Sequence, residues 1–161
     1  MNDCIYIGFS EPKKFKLGAA GIKLWQNSNY SHVYIRMSTV VVHSAQGSVN
    51  ATSFSKFKKD NNVIQEFKIE TSDLYAIQIY CYSKVGQKYG YIELLKIFSY
   101  DIFNNIGIKL GFNDSNGYIC SEFIGWVLTE KLNHTFDKPH FLLTPKDIYL
   151  KLTEQGYGTT I

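Results

Sequence analysis

Residues 31–37 and 40–45 constrain the fold of this chain more than any other part of it. In Ser-His-Val-Tyr-Ile-Arg-Met, the residues His32, Tyr34 and Arg36 alternate with Val33, Ile35 and Met37, the period of two that marks a β-strand. After Ser38 and Thr39, the run Val-Val-Val-His-Ser-Ala reads as its antiparallel partner. Parity then decides what such a hairpin presents. With a two-residue loop, Tyr34 lies opposite His43 and His32 opposite Ala45, so both histidines emerge on one face as diagonal neighbours, roughly 7–8 Å apart between Cα atoms. A three-residue loop reverses the parity and separates them. Two imidazoles on one face suit a base and the group that orients it, provided that a nucleophile lies nearby.

The rest of the chain supplies strands first and helices afterwards. Residues 4–9 are short, apolar and β-branched before the Ser10-Glu11-Pro12 breaker, and read as a first strand. A helix is expected over 15–25, weakened by Gly18 and Gly21. The polar stretch 47–62 reads as irregular, and 63–70 as another strand, giving at least four strands in the first half. Thr71 or Ser72 is expected to cap a helix carrying Leu74, Ile77 and Cys81 that stops near Gly86, and a further helix is expected over 91–104. Cys120 opens a helix running to about Leu132, and Thr144-Pro145 starts the last one, with threonine as cap and proline in the first helical position. This pattern defines an α+β fold. At 161 residues and 45% apolar, the chain suffices for one domain spanning 1–161.

Charge and cysteine usage narrow the function. The formal charge is +3, but Arg36 is the sole arginine, a poor composition for bidentate reading of phosphates or bases, so nucleic acid is not an expected partner. The lysine clusters at 13, 14 and 16 and at 56, 58 and 59 read as solvated faces. The N-terminus lacks the positive start of a secretory signal. The apolar region 91–112 is interrupted by Glu93, Lys96, Asp101 and Lys109, too costly for a transmembrane segment. Three cysteines without a CxxC spacing argue against a disulfide framework and for reduced thiols, which together point to the cytoplasm.

Among those thiols, Cys120 stands out because it follows a loop rich in Gly and Asn and enters a helix. Backbone N–H groups and the positive end of the helix dipole favour a thiolate there, so a lowered thiol pKa is expected. The competing reading places Cys120 in the apolar stripe of Phe123, Ile124, Val127 and Leu128. Cys4 and Cys81 are assigned to packing. Glu122 belongs to the first helical turn, where it favours the dipole, and is expected to point away from the sulfur. His134 and His140 fall between the last two helices and are expected to be exposed or structural.

Several segments, taken in order, resemble a known family. Tyr30-Ser31-His32-Val33 enters one strand, Val41-Val42-His43-Ser44-Ala45-Gln46-Gly47 lies on the next, Gly86-Gln87-Lys88-Tyr89-Gly90 follows, and Tyr118-Ile119-Cys120-Ser121-Glu122-Phe123 opens a helix. Thr144-Pro145-Lys146-Asp147 is similar to the closing segment. The set resembles the circularly permuted NlpC-type papain-like hydrolases, which include the YiiX-like proteins and the lecithin-retinol acyltransferase group. The resemblance implies a papain-like fold and a cysteine peptidase or amidase in which Cys120 is the nucleophile, His32 the base and His43 the orienting residue. The backbone N–H of Cys120 is the natural oxyanion donor, and Tyr30 is a candidate for a second, with Tyr118 and Tyr89 as others. An acyl-thioester on Cys120 follows, with no cofactor and no metal required. The substrate is then a peptide, of the peptidoglycan type in some relatives, or a lipid acyl group in others. Two alternatives are a binding module that keeps the fold without turnover and a zinc site built from Cys120, His32 and His43.

Overall fold

The computed structural model describes residues 3–14, 17–45, 47–88, 90 and 117–160. The expected helix over 91–104 and the tyrosine at position 89 lie outside them. The described elements are α+β. Five strands form one antiparallel sheet, β1 (Asp3–Pro12), β2 (His32–Met37), β3 (Val40–Ala45), β4 (Ser48–Ser53) and β5 (Asn61–Thr71), in the order β4-β3-β2-β1-β5. Helices α1 (Leu17–Gln26), α2 (Phe54–Asp60) and α3 (Leu74–Ser83) follow strands, and α4 (Cys120–Leu132) and α5 (Pro145–Glu154) come after the sheet is complete.

The central hairpin has the two-residue loop that parity required. Met37 pairs with Val40 around Ser38 and Thr39, and the register continues through Arg36 with Val41 and Ile35 with Val42. Ser38 carries a positive φ of 54°, the left-handed geometry that a tight hairpin asks of its loop.

The stretch 47–62 is ordered, against the expectation of an irregular loop. Ser48–Ser53 pairs along its whole length with Ala45–Val40, and Phe54–Asp60 is a short helix. Most side chains of β4 are small and polar, with Val49 alone fully buried, so the strand owes its order to the neighbouring ladder and shows little hydrophobic alternation. Ser53 caps α2 through the Lys56 N–H, and Phe57 is its one buried side chain. The cap of α3 is Asp73, whose carboxylate accepts from the Ala76 N–H at 2.9 Å, one or two residues later than expected. The expected cap of α5 is present as a full capping box of Thr144 and Asp147 with Pro145 at the start.

Alternation divides the sheet into two faces. Ile5, Ile7, Phe9, Val33, Ile35 and Met37 point into the main core, against Ile77 and Cys81 of α3, Phe123, Ile124 and Val127 of α4, and Ile148 and Leu152 of α5. The other face carries Tyr34 and Val41 under Phe57 of α2. There Gly8 stands opposite Tyr34 on one side and Glu66 on the other. The Tyr34 ring crosses over that glycine, and its hydroxyl donates to Glu66 Oε1 at 2.9 Å. A Cβ at position 8 would fall 2.1 Å from Tyr34 Cζ, so only glycine lets the ring lie flat across β1. Glu66 is buried, 1% exposed, and Arg36 neutralises it with two hydrogen bonds, at 2.8 and 2.6 Å. The guanidinium lies 3.7 Å from the centre of the Tyr6 ring and 4.7 Å from that of Phe54. Its polar partners and ring faces keep this buried charge satisfied.

Candidate active site

The hairpin that carries the two histidines opens at its far end. Pairing of β2 with β3 stops at Ile35 and Val42. A continued ladder would set Val33 opposite Ser44, and the alternation of an antiparallel pair closed by Met37 and Val40 aims the Val33 N–H toward β3. The segment leading into α4 occupies that place. Ser44 donates its hydroxyl to the Tyr118 carbonyl, and the Val33 N–H serves the sulfur of Cys120. The start of α4 is thus wedged into the parted strands, with Cys120 at the split.

Across the same split the histidines meet. His32 Nε2 lies 3.0 Å from His43 Nδ1, with ring centres 5.2 Å apart and the planes nearly perpendicular. The shared face expected from the two-residue loop is therefore present. Phe57 packs on both imidazoles, its ring centre 6.3 Å from that of His32 and 5.2 Å from that of His43. Burial holds His43 well below the ordinary histidine range, at about 4. A ring neutral at neutral pH has one acceptor nitrogen, and with His43 Nδ1 in that role it accepts a proton carried on His32 Nε2.

Cys120 is the first residue of α4, preceded by Ile119 as cap, and is 6% exposed. Its thiol contradicts one expectation. Helix-end geometry promised a lowered pKa, whereas burial pushes it up, against the opposing pull of backbone hydrogen bonds from Val33, Ser121 and Cys120 itself. Removing water from around a sulfur at this depth outweighs the N–H groups that the helix terminus supplies. The resting group is a thiol. Cys120 packs with Val33 in the main core, and Phe57 packs on His32 and His43.

Two hollows flank the split. The histidines line a cavity of about 490 Å³ together with Phe57, Lys56 and Asp60. A small cleft over Cys120 is bordered by Trp25, Leu143 and Pro145. Ile22 of α1 and Ser31 border both.

Tyr30, the candidate oxyanion hydroxyl, belongs to an aromatic cluster. Its ring stacks on Tyr149 at 5.3 Å and tilts against Phe9 at 4.9 Å, and burial pushes its hydroxyl far above the ordinary tyrosine range. It does not line the histidine cavity or the Cys120 cleft. Glu122 is buried, and its charge helps to raise the Tyr80 hydroxyl while making no contribution to the causes that shift Cys120. Cys81 is fully buried, its thiol pushed up to about 12. Cys4 is half-buried with its sulfur 3.6 Å from the Tyr6 hydroxyl. His134 is buried against the Tyr157 hydroxyl at 3.0 Å, and His140 stacks on Trp126 and meets the Thr129 hydroxyl at 2.9 Å, so both are structural.

Sequence reasoning missed Phe57 and Ser44. Phe57 sat in a stretch without periodicity, and only its spacing of three from Phe54 among lysines marked it. Ser44 was visible beside His43, but its role depends on a carbonyl 74 residues away. No group of three His, Cys, Asp or Glu among the described residues is placed to hold a metal ion. No helix among them is long and apolar enough to cross a membrane. No protein-family model matches the chain, and no curated protein matches it.

Proposed function

We propose that this chain is a cysteine hydrolase of the permuted papain-like kind, acting on an amide bond, with Cys120 as nucleophile, His32 as base and His43 as the residue that orients His32. The observation that carries the reading is the split hairpin: one strand end holds the paired imidazoles, and its next backbone N–H, that of Val33, holds the Cys120 sulfur.

A raised thiol pKa asks for proton transfer during attack and not for a standing thiolate. The Cys120 proton passes to His32 as the sulfur bonds to the substrate carbonyl carbon. His43 stays neutral and accepts from His32 Nε2, so the imidazolium has a fixed partner. The Cys120 N–H at the helix start stabilises the oxyanion, worth about 2.7–4 kcal/mol where such donors have been removed. Tyr30 packs in the core, so the backbone takes this role. The C–N bond then breaks as His32 returns the proton to the leaving amine. Water attacks the acyl-thioester, giving its proton to His32, and the thiol and acid are released. Peptides, including the peptidoglycan type, are the first substrate class to test, and the three free thiols suit a reducing, cytoplasmic setting.

The test is a thiol-directed probe and then incubation with stem peptides and with phospholipids, followed by intact-mass measurement. A mass gain on Cys120 with peptides, absent in Cys120→Ser, supports the reading. A gain with phospholipids alone moves it to lipid acyl chemistry. Equal sluggishness of Cys4, Cys81 and Cys120 toward the probe leaves a binding module.

A further inference from the structure

Helix α1 borders both hollows at the split, and little apolar burial holds it there. From Gly18 to Trp25 none of its residues is buried, and Leu24 is 86% exposed. Each of the other described helices sinks apolar side chains into a core, Phe57 from α2, Ile77 from α3, Phe123 from α4 and Ile148 from α5. Such packing is what chiefly stabilises a helix, and segments poor in it open at the least cost. Gly18 and Gly21 weaken α1 further, and a Cβ at either would meet nothing within 4 Å. Polar contacts tie the helix down. The Lys23 amine bonds to the Glu11 carboxylate on β1, and Gln26 accepts from the Lys146 N–H at 3.2 Å and from the Lys146 amine at 3.0 Å. After Gln26 the chain turns through Asn27, at a positive φ of 48°. The cleft over Cys120 that α1 borders measures about 10 Å³, room for about one water molecule. An amide carbonyl cannot reach the sulfur through such a gap. A third hollow, of about 880 Å³, lies between Ala20 and Leu24 of α1 and Tyr149 and Leu150 of α5, so the helix has unfilled space beside it.

We propose that α1 is a lid with Ile22 as its partition: the helix lifts about its Gln26–Asn27 end, the Lys23–Glu11 pair parts, and Ile22 withdraws, so that the Cys120 cleft and the histidine cavity become one groove. The lid rests on the hydrolase reading for its purpose. Ile22 is the side chain that has to move, because it borders both hollows. Ser31, the residue before His32, borders both as well, so the opened path runs along the strand that carries the base. The latch suits repeated opening, since its two side chains are 33% and 26% exposed and a pair so placed is weak. Substrate entering the groove meets the sulfur and the imidazole together, and closure holds its amide against both.

Iodoacetamide labelling of the full chain at one pH, read at each thiol by peptide mass, reports how often the lid lifts. Lys23 does not line the Cys120 cleft, so Lys23→Met reaches the sulfur through α1. It is expected to speed Cys120 labelling by about two- to fivefold, the worth of a partly exposed ion pair. Loss of a positive charge by itself disfavours a thiolate, so a faster rate reads the lift. Ile22→Ala is expected to speed labelling by about tenfold, through the apolar area that side chain covers. Leu24→Ala, at the exposed position of the same helix, leaves the rate unchanged. Cys81, fully buried, is the internal control for unfolding of the whole chain. A Cys120 rate unmoved in Lys23→Met, or moved only in step with Cys81, overturns the lid. Acceleration by Ile22→Ala alone overturns it too, showing a fixed partition. The hydrolase reading fails separately, on the absence of a Cys120 acyl adduct from peptides.

Discussion

The backbone N–H of Val33 is directed at the sulfur of Cys120, in the place where an unbroken hairpin would have set Ser44. Ser44 turns its hydroxyl to the Tyr118 carbonyl instead, so the two parted strands together grip the entry of α4. Ser44→Ala removes one of that carbonyl's two donors and leaves it the Gly90 N–H at 3.3 Å. The expected cost is about 0.5–1.5 kcal/mol in chemical denaturation, with slower probe labelling of Cys120. Unchanged labelling would show that the grip does not position the sulfur.

Because the resting Cys120 thiol is protonated, its reactivity should depend on the base. His32→Ala is expected to slow labelling of Cys120 by about 100-fold or more, in line with the loss of a positioned general base. Cys81, fully buried with a thiol pushed up to about 12, should be the slowest of the three thiols in both proteins. Rates are read from intact-mass time courses.

His43 links stability to pH. Its folded pKa of about 4 lies below the ordinary 6.5, through burial. Between those values the unfolded chain binds the extra proton, so stability is full above about pH 6.5 and is lost as the pH falls toward 4. The half-buried ring discounts the loss to about 1–3 kcal/mol. Urea denaturation of wild type and His43→Asn across pH 4–7 isolates this slope, and identical slopes refute it.

The Arg36–Glu66 pair makes an asymmetric prediction. Arg36→Ala strands a carboxylate that is 1% exposed and is expected to cost about 3–5 kcal/mol. Tyr34→Phe removes only one donor to that carboxylate and should cost about 1.5–3 kcal/mol. Denaturant midpoints at neutral pH decide the order.

Gly8→Ala tests the row beneath. A Cβ there meets Tyr34 Cζ at 2.1 Å, so the ring must leave Glu66, at an expected cost of about 1–3 kcal/mol or more. In a Tyr34→Ala background the same change should cost markedly less, since the clash is gone. Additive effects would place the strain elsewhere.

Local rules carried the sequence reading a long way. The alternation of residues 31–37 predicted β2 and β3, and the meeting of His32 with His43 was expected only for a two-residue loop, the alternative the register shows. The polar loop before Cys120 and the apolar stripe after it placed α4, and the Thr144–Pro145 start placed α5. β4 and α2 escaped because small polar residues order only when a neighbouring ladder is present, and Phe57 went with them.

What the sequence determined by itself is the periodicity of each segment, which left the shared face of the two histidines to the length of one loop. Tertiary structure alone decided the state of the Cys120 thiol, the burial of Glu66 beneath Tyr34, and the narrow cleft that α1 leaves over Cys120. Those depend on how much water the packed elements exclude and on which distant group fills each gap. Neither quantity is written in the spacing of residues along the chain.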